Sequence, residues 1–374
     1  MKKFILISIL FITSCHNFKS DYNDYEGFNV LSIDDANKES KLEVSRYVDS
    51  ITYIPLETDT SCLIGKIKKV ELDSKYIYVL DRYSSNSLFV FDWEGNFFKK
   101  IGAQGKGPGE YCSAHDFCLL PNDTIVLYDR DCKRLFYYYK FQFVKTKEIE
   151  WFSHSIAYDQ NRFYFYMQKQ YSFNKLYKGN YDLITTTSSL EFLNKLFRYE
   201  QSNTMYYDPE NIFRYCNDSL IFISRNKDKI YKLKENQIRK AYYLSFGKDN
   251  VPYEYTLSIE VFNKYKDDYS YLWNTFLESS RFIFYDADLK GDNYVYYFFY
   301  DKKNTEFSYS KLLDNDIDKI FSDFIYSNDS CFVGIVSPID IIDNQNIITN
   351  ELSTCLQNLD KMDNPIIAIY HLKR

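Results

Sequence analysis

From about residue 44 onward the chain is a succession of short strand-like runs separated by polar turns. The clearest set lies in Ile64–Tyr111, where Lys66–Leu72, Ile77–Leu80, Leu88–Asp92 and Phe97–Ile101 each read as a strand. A Ser84–Ser87 turn separates the second run from the third, and a Trp93–Asn96 turn separates the third from the fourth. Gly102–Gly109 then forms a loop with four glycines and one proline. Four short antiparallel strands followed by a Gly-rich crossing loop make one blade of a β-propeller.

The unit recurs as a polar turn followed by a strand. It appears at Ser74–Asp81 and Asn122–Asp129, more weakly at Asn161–Met167 and Asn217–Ser224, and again at Gly291–Asp301 and Asn328–Val336. Asn and Asp suit such turns because they tolerate left-handed backbone and bond their own main chain. Six copies predict six blades, each copy being the second strand of its blade. First strands are expected at His115–Leu120, Ile156–Asp159 and Arg281–Tyr285, and third strands at Leu88–Asp92, Arg134–Tyr139, Lys229–Leu233 and Phe307–Leu312. Fourth strands are expected at Phe97–Ile101, Lys145–Glu150 and Ile238–Phe246. Val48–Leu56 and Ile366–Leu372 are each a strand without a blade of its own, and pairing them would close the ring and remove its open edges. Tyr253–Ser280 and Asn350–Met362 have helix-like apolar spacing and are expected to be helical insertions.

In blade one the chain is similar to an NHL repeat. Ile77-Tyr78-Val79-Leu80-Asp81, Phe89-Val90-Phe91-Asp92, Ile101-Gly102 and Gly107-Pro108-Gly109-Glu110 stand where that repeat has its marker residues. The layout from about Val44 to Arg374 resembles a family of six-bladed propeller lipoproteins from Gram-negative bacteria. That layout runs from an ITYIPLET opening, through this blade, to a closing NPIIAIYHLK. The resemblance implies an all-β, six-bladed, NHL-like propeller and an address on the cell envelope.

The N-terminus points to the same address. Lys2 and Lys3 precede the apolar run Phe4–Ile12, which is too short for a membrane span and reads as a signal peptide. Ile12-Thr13-Ser14-Cys15 resembles the bacterial lipoprotein processing box, which implies lipidation of Cys15. The expected organisation is a signal peptide over 1–14, a lipidated Cys15 with a flexible tether over 15–43, and a propeller over 44–374. The formal net charge of −6 contains no basic block, so nucleic acid is not an expected partner. Seven cysteines remain after Cys15, an odd number that requires at least one free thiol. No C-x-x-C spacing supports a structural zinc site. Buried thiols are expected, with a disulfide among Cys112, Cys118 and Cys132 as the alternative.

Candidate chemistry is sparse. The Gly102–Gly109 loop lacks both Gly-Lys-Ser/Thr and the G-x-G-x-x-G spacing, so a blade-to-blade crossing is expected there instead of a phosphate cradle. Asp81-Arg82 and Asp129-Arg130 end equivalent strands, and a repeated position suggests a structural role. The alternative is calcium held by a ring of these carboxylates, although Met167 and Ser224 stand there in blades three and four. His115, Asp116 and His154 lie where the first strands of blades two and three begin, near the channel mouth. With Arg281 they are the candidate binding residues. NHL-type propeller lyases that hold zinc with histidines from different blades suggest a metal-dependent lyase or hydrolase here, but a third histidine ligand is not suitably placed. His16 falls in the tether and His371 in the closing strand. The favoured expectation is a non-enzymatic platform that binds protein, peptide or glycan and carries no cofactor. A structural subunit of an envelope complex is the remaining alternative. The 38 Tyr and 31 Phe suit ligand stacking, but most of them must fill the core.

Overall fold

The computed structural model describes residues 25–167, 179–199, 212–224, 228–234, 237–320, 322–344, 352 and 359–374. Six small antiparallel sheets form a ring. Blade one is Lys69–Leu72, Ile77–Asp81, Ser87–Phe91 and Phe97–Ile101. Blade two is Asp116–Leu120, Thr124–Asp129, Arg134–Tyr139 and Gln142–Glu148. Blade three is Ser155–Asp159, Arg162–Tyr166, Tyr181–Thr187 and Phe192–Arg198. Blade four is Phe213–Cys216, Ser219–Ile223, Lys229–Lys234 and Gln237–Ser245. Blade five is Tyr271–Glu278, Phe282–Asp288, Val295–Asp301 and Glu306–Ser310. Blade six is Phe324–Ser327, Cys331–Val336, Ile366–Leu372 and, from the other end of the chain, Val48–Pro55. The two termini therefore close the ring within one sheet, with Ile367 opposite Ile54 and Ile369 opposite Thr52.

The core is six apolar seams, one between each pair of neighbouring blades. Along Ile77–Asp81 the side chains alternate. Tyr78 and Leu80 pack with Phe117 and Leu127 of blade two, while Ile77 and Val79 pack with Val333 and Ile367 of blade six. A strand sandwiched between two blades is apolar on both sides, so its sequence reads as an unbroken run. Large rings fill these seams: Trp151 lies edge-on to Phe165 between blades two and three. Phe284, Phe324 and Phe332 meet between blades five and six.

The polar turns do their work in two ways. Asn122-Asp123, Gln160-Asn161 and Asn217-Asp218 take positive φ at both central positions, the backbone that a two-residue hairpin requires. At the same place in blades one and six, Asp73 and Asn328 instead accept hydrogen bonds from the N–H groups two and three residues on.

Three expectations need correction. In blade five the recurrent unit is offset by one strand, because Val295–Asp301 is third in order and Phe282–Asp288 second. Arg281–Tyr285 therefore belongs to the second strand and Phe307–Leu312 to the fourth. The innermost strand is Tyr271–Glu278, inside the stretch read as helical; its helix is confined to Ile259–Tyr265 with short 3-10 turns on either side. The misreading has a physical source. The ladder slips between Leu272 and Phe276, so Leu272 faces Ala287 while Phe276 faces Tyr285. Residues four apart share a face in a strand as in a helix, and with Leu277 buried on the other face the apolar spacing fits both.

The second half of the expected tether is also structured. Asn29–Ser32 pairs in parallel with the outer strand of blade four, Asn37–Lys38 with that of blade five, and Leu42–Glu43 with Leu313–Asp314. Leu31 fills the seam between blades four and five, and Leu42 and Val44 that between blades five and six. Open sheet edges attract any extended segment, and here the chain covers its own. Finally, Cys112 and Cys132 form a disulfide, while Cys62, Cys118, Cys216 and Cys331 are buried thiols.

Residues 1–24, including Cys15 and His16, lie outside the described residues, as does most of Asn350–Met362. Within that last stretch Leu352 is buried in the seam between blades five and six. Among the described residues no helix is long and apolar enough to cross a membrane.

Candidate functional site

The innermost strand of each blade lines the axis of the ring. We call upper the end where these strands begin and lower the end where they turn into the second strands. Lys69 and Glu71 sit at alternate positions of blade one's innermost strand, while Val70 between them packs into the seam with blade six. A period of two thus sends the charged pair toward the axis.

A polar throat results. Lys69 Nζ lies 3.1 Å from Asp116 Oδ1 and 3.5 Å from Glu71 Oε1, and donates to the Phe117 carbonyl at 2.7 Å. Asp116 Oδ1 also accepts from the Phe117 N–H at 2.8 Å, and Oδ2 from the Ile156 N–H of blade three at 2.8 Å. Tyr215 of blade four donates its hydroxyl to the Tyr158 carbonyl at 2.6 Å and accepts from the Tyr158 N–H at 3.2 Å. Side chains of one blade therefore bond the backbone of the next around this half of the ring. Burial works against charge on Lys69, yet Asp116 and Glu71 outweigh it and hold the ammonium protonated. Burial pushes Glu71 upward while Lys69 and Arg214 pull the other way, and burial raises the Cys118 thiol far out of the reactive range.

At the upper mouth stand the two histidines. His115 is 1% exposed, and its Nε2 lies 3.1 Å from the His154 carbonyl oxygen, so that nitrogen carries the proton. The two rings meet edge to face with centroids 5.8 Å apart, and His154 Nδ1 lies 3.1 Å from Ser155 Oγ. Lys68 Nζ reaches the His115 carbonyl at 3.2 Å. Burial first, and then the charges of Lys68, Arg82, His154 and Arg130, press His115 far below the usual histidine range, so it stays neutral.

Asp81 and Asp129 end the second strands of blades one and two at this same end, fully buried. Asp81 accepts from the N–H groups of Gly65, Ser84 and Ser85 at 2.8, 2.9 and 3.1 Å. Asp129 accepts from those of Cys112 at 2.6 Å and Cys132 at 3.0 Å. Each carboxylate thus knots the turn after its strand to the segment leading into its blade. The next residues, Arg82 and Arg130, are half-buried and face no carboxylate within ion-pair distance among the described residues. Arg82 and Lys66 both lie over the Tyr83 ring, at 5.4 and 5.3 Å from its centroid, and that ring is 50% exposed.

Arg281 is not part of this mouth. It lies between Glu278 and Phe282, at the lower end, where its guanidinium holds Asp301 at 2.6 Å and donates to the Arg374 carbonyl at 2.8 Å. His371 faces outward on the closing strand, 2.9 Å from Thr52 Oγ1.

Three possible metal sites lie at this end, and the fold works against each. The carboxylates of Asp81 and Asp129 are filled by backbone N–H groups, and the His115 imidazole sits among cations that would repel a metal ion. Cys112, Asp129 and Cys132 offer ligand atoms within 4.8 Å of one another, but the two sulfurs are bonded together and the carboxylate holds both Cys N–H groups. The Gly102–Gly109 loop is a crossing. Its Gly105 N–H bonds the Tyr111 carbonyl, and its Gly107 N–H takes the Glu110 carboxylate where a phosphate would have to sit.

The throat residues Lys69, Glu71 and Arg214 were missed in the sequence. Charges at alternate positions of an innermost strand, as in Lys69-Val70-Glu71, were the available signal.

A ring of six four-stranded sheets around a polar throat, closed by its two termini, defines a six-bladed β-propeller. Residues 28–371 match the family described as "Domain of unknown function (DUF4934)", and the chain belongs to that family. Among solved structures it is similar to an exported protein from Bacteroides fragilis, at 18% identity and TM-score 0.76 over 92% of this chain and 100% of that one. A member of the DUF4221 family from Bacteroides vulgatus follows, at 11% identity and TM-score 0.51 over 87% and 97%. Virginiamycin B lyase from Staphylococcus aureus is more distant, at 8% identity and TM-score 0.41 over 85% and 99%, and has no bearing on activity here. No curated protein sequence matches the chain.

Proposed function

We propose that the protein is a non-enzymatic binding platform of the bacterial cell envelope, tethered by lipid on Cys15 and presenting its upper face to a protein, peptide or glycan. One observation carries this reading. Asp116 and the proton-bearing nitrogen of His115 are already engaged by the fold, while Arg82 and Arg130 remain half-exposed and Arg82 lies against an exposed Tyr83. Asp116 serves Lys69, Phe117 and Ile156, and the proton-bearing nitrogen of His115 serves a carbonyl. A general base must reach a substrate proton, and here the Asp116 carboxylate is filled by three donors and His115 is 1% exposed. Rigid sheets with an arginine- and tyrosine-bearing face suit recognition instead.

The test is elemental analysis of the full-length protein, purified without chelators, followed by a screen of peptides and glycans. Saturable binding without turnover and without stoichiometric transition metal is the expected result. One zinc per chain, lost in His115→Ala together with hydrolysis or elimination of a bound ligand, would replace the platform reading with the metal-dependent enzyme.

A further inference from the structure

The upper mouth has an electrical character that the chain as a whole lacks. The protein is acidic, with a formal net charge of −6. Yet five cationic side chains come from the corresponding end of its first two blades: Lys66 and Lys68 at the start of blade one, Arg82 after its second strand, and Arg130 and Lys133 after the second strand of blade two. Of the acids at this end, Asp81 and Asp129 are fully buried and surrounded by N–H donors, while Asp131, in the turn between Arg130 and Lys133, is exposed. The charge of the buried two is spent on backbone dipoles below the surface, and the five cations outnumber the one exposed acid of that turn.

Arg82 and Arg130 are the informative pair. They occupy equivalent positions on adjacent blades, each directly after a buried Asp that fixes the turn carrying it. The Cys112–Cys132 disulfide closes the loop that contains Arg130, so both guanidinium groups stand on restrained backbone. The two turns are neighbours: Asn86, in the blade-one turn after Arg82, donates to the Cys112 carbonyl at 3.2 Å and accepts from the Ala114 N–H at 2.8 Å, and the Cys112 N–H is held by Asp129, next to Arg130. A guanidinium is planar, permanently charged and matched to two-oxygen acceptors. Two of them on preset turns, with a tyrosine ring exposed beside one, make a receptor for an oxyanion attached to a flat or ring-shaped body. A net positive field also concentrates its counter-ion before contact.

The geometry points to an oxyanion-binding site at the upper mouth, in which Arg82 and Arg130 grip a carboxylate or sulfate group of the ligand and Tyr83 stacks on the ring that bears it. Lys66 and Lys68 supply the surrounding field. The site rests on the binding-platform reading and narrows it to acidic ligands, acidic sugars first among them.

The experiment titrates the full-length protein in detergent micelles with trigalacturonate, with its fully methyl-esterified form and with inorganic sulfate, by calorimetry at low and at moderate salt. Trigalacturonate or sulfate should bind saturably, one per chain, and weaken as salt rises. The ester should bind at least tenfold more weakly than the acid. Arg82→Gln and Arg130→Gln should each weaken anion binding several-fold and together at least tenfold, while Lys290→Gln, on the far side of the ring, should leave it unchanged. Circular dichroism melting of each variant confirms that the fold is retained. Equal affinity in the double variant, equal affinity for acid and ester, or no saturable binding of either anion would overturn the site. Neutral ester that binds well and ignores both arginines would sink the oxyanion site while leaving the platform standing. Shortening of trigalacturonate during the titration, seen by chromatography, would sink the platform itself.

Discussion

The two ends of this propeller use charge in opposite ways. At the lower end the charged groups around the blade four–five seam answer one another. Glu278, 0% exposed, takes Lys232 Nζ at 2.8 Å, Lys302 Nζ at 2.9 Å and the Tyr242 hydroxyl at 2.8 Å, and so ties blade four to blade five. Nearby, Arg281 grips Asp301 through three hydrogen bonds of 2.6 to 3.1 Å and holds the C-terminal residue as well. At the upper end over blades one and two, Asp81 and Asp129 are buried under backbone donors, and among the described residues neither Arg82 nor Arg130 has a carboxylate within ion-pair distance. Ion pairs that close on themselves hold blades together, and cations without carboxylates remain available to something else.

If that contrast is right, the largest loss of stability comes from the lower end. Glu278→Ala strips two half-buried ammonium groups and a buried hydroxyl of their shared acceptor. Removal of one partner from a buried pair costs about 3–5 kcal/mol. Urea unfolding should show a loss of that size with blades four and five affected first in hydrogen exchange. A change below about 1 kcal/mol, the size of an exposed pair, would mean that the network is ornamental and the contrast between the ends false.

Next comes the disulfide. Cys112→Ser opens a loop whose ends are 20 residues apart in sequence, which by chain entropy should cost about 3 kcal/mol. The same substitution should loosen the turn that presents Arg130, so anion affinity should fall with stability. Reduction of the wild-type protein by dithiothreitol should reproduce both effects. Affinity that survives the loss of the bridge would show that the turn is held by Asp129 alone.

Acid distinguishes the ends further, through His115. Its folded-state pKa lies below the unfolded value of about 6.5, so the unfolded chain binds the proton more readily. The stability this contributes is complete above pH 6.5 and drains away as the pH falls below it. At about 1.4 kcal/mol per pH unit, roughly 2 kcal/mol is gone by pH 5. His115→Gln should lower stability at pH 7.5 but flatten the slope between pH 7 and pH 5. Asp301 titrates lower down. Burial opposes its charge, yet Arg281 and the N–H groups of Lys303 and Asn304 outweigh burial, so its contribution fails only as the pH falls below the ordinary carboxylate range. An unchanged slope in His115→Gln would place the acid sensitivity elsewhere.

Much of this architecture was legible because a propeller repeats one local pattern. Ile77–Asp81 and Thr124–Asp129 were readable as second strands, since both of their faces are buried and a polar turn precedes each. Ring closure followed from two strands, near residues 50 and 370, that had no other partner. Blade five was misread where Leu272, Phe276 and Leu277, buried on the two sides of one strand, imitate a helix, and the edge strand Asn29–Ser32 because four residues with a single core side chain, Leu31, carry no periodic signal. The site was less legible. His115 and His154 were found together as their positions suggested, but Arg281 was assigned to the mouth through the one-strand offset in blade five and lies at the other end. The throat pair Lys69 and Glu71 escaped because which side of an innermost strand faces the axis depends on the neighbouring blade. The unanswered state of Arg82 and Arg130 is a property of what surrounds them in space, and Asp-Arg in sequence suggests the reverse.

The smallest expected effect is therefore the most telling one. Asp81-Arg82 and Asp129-Arg130 invite the view that each pair is an ion pair. If so, Arg82→Gln and Arg130→Gln would each expose a buried carboxylate to the full cost of its charge and destabilise the fold by several kcal/mol. In the structure those carboxylates are satisfied by five backbone N–H groups between them, and neither guanidinium takes part. Each glutamine variant should then unfold within about 0.5 kcal/mol of wild type, as a surface change does. Asp81→Ala, which orphans three buried donors at about 1–3 kcal/mol each, should cost several times more. Equal, large losses for Asp and Arg in the same turn would show the pair to be structural and would remove the reason to seek a ligand at the upper mouth. A fold indifferent to the arginines and dependent on the aspartates is the result that a ligand-facing role for the two cations requires.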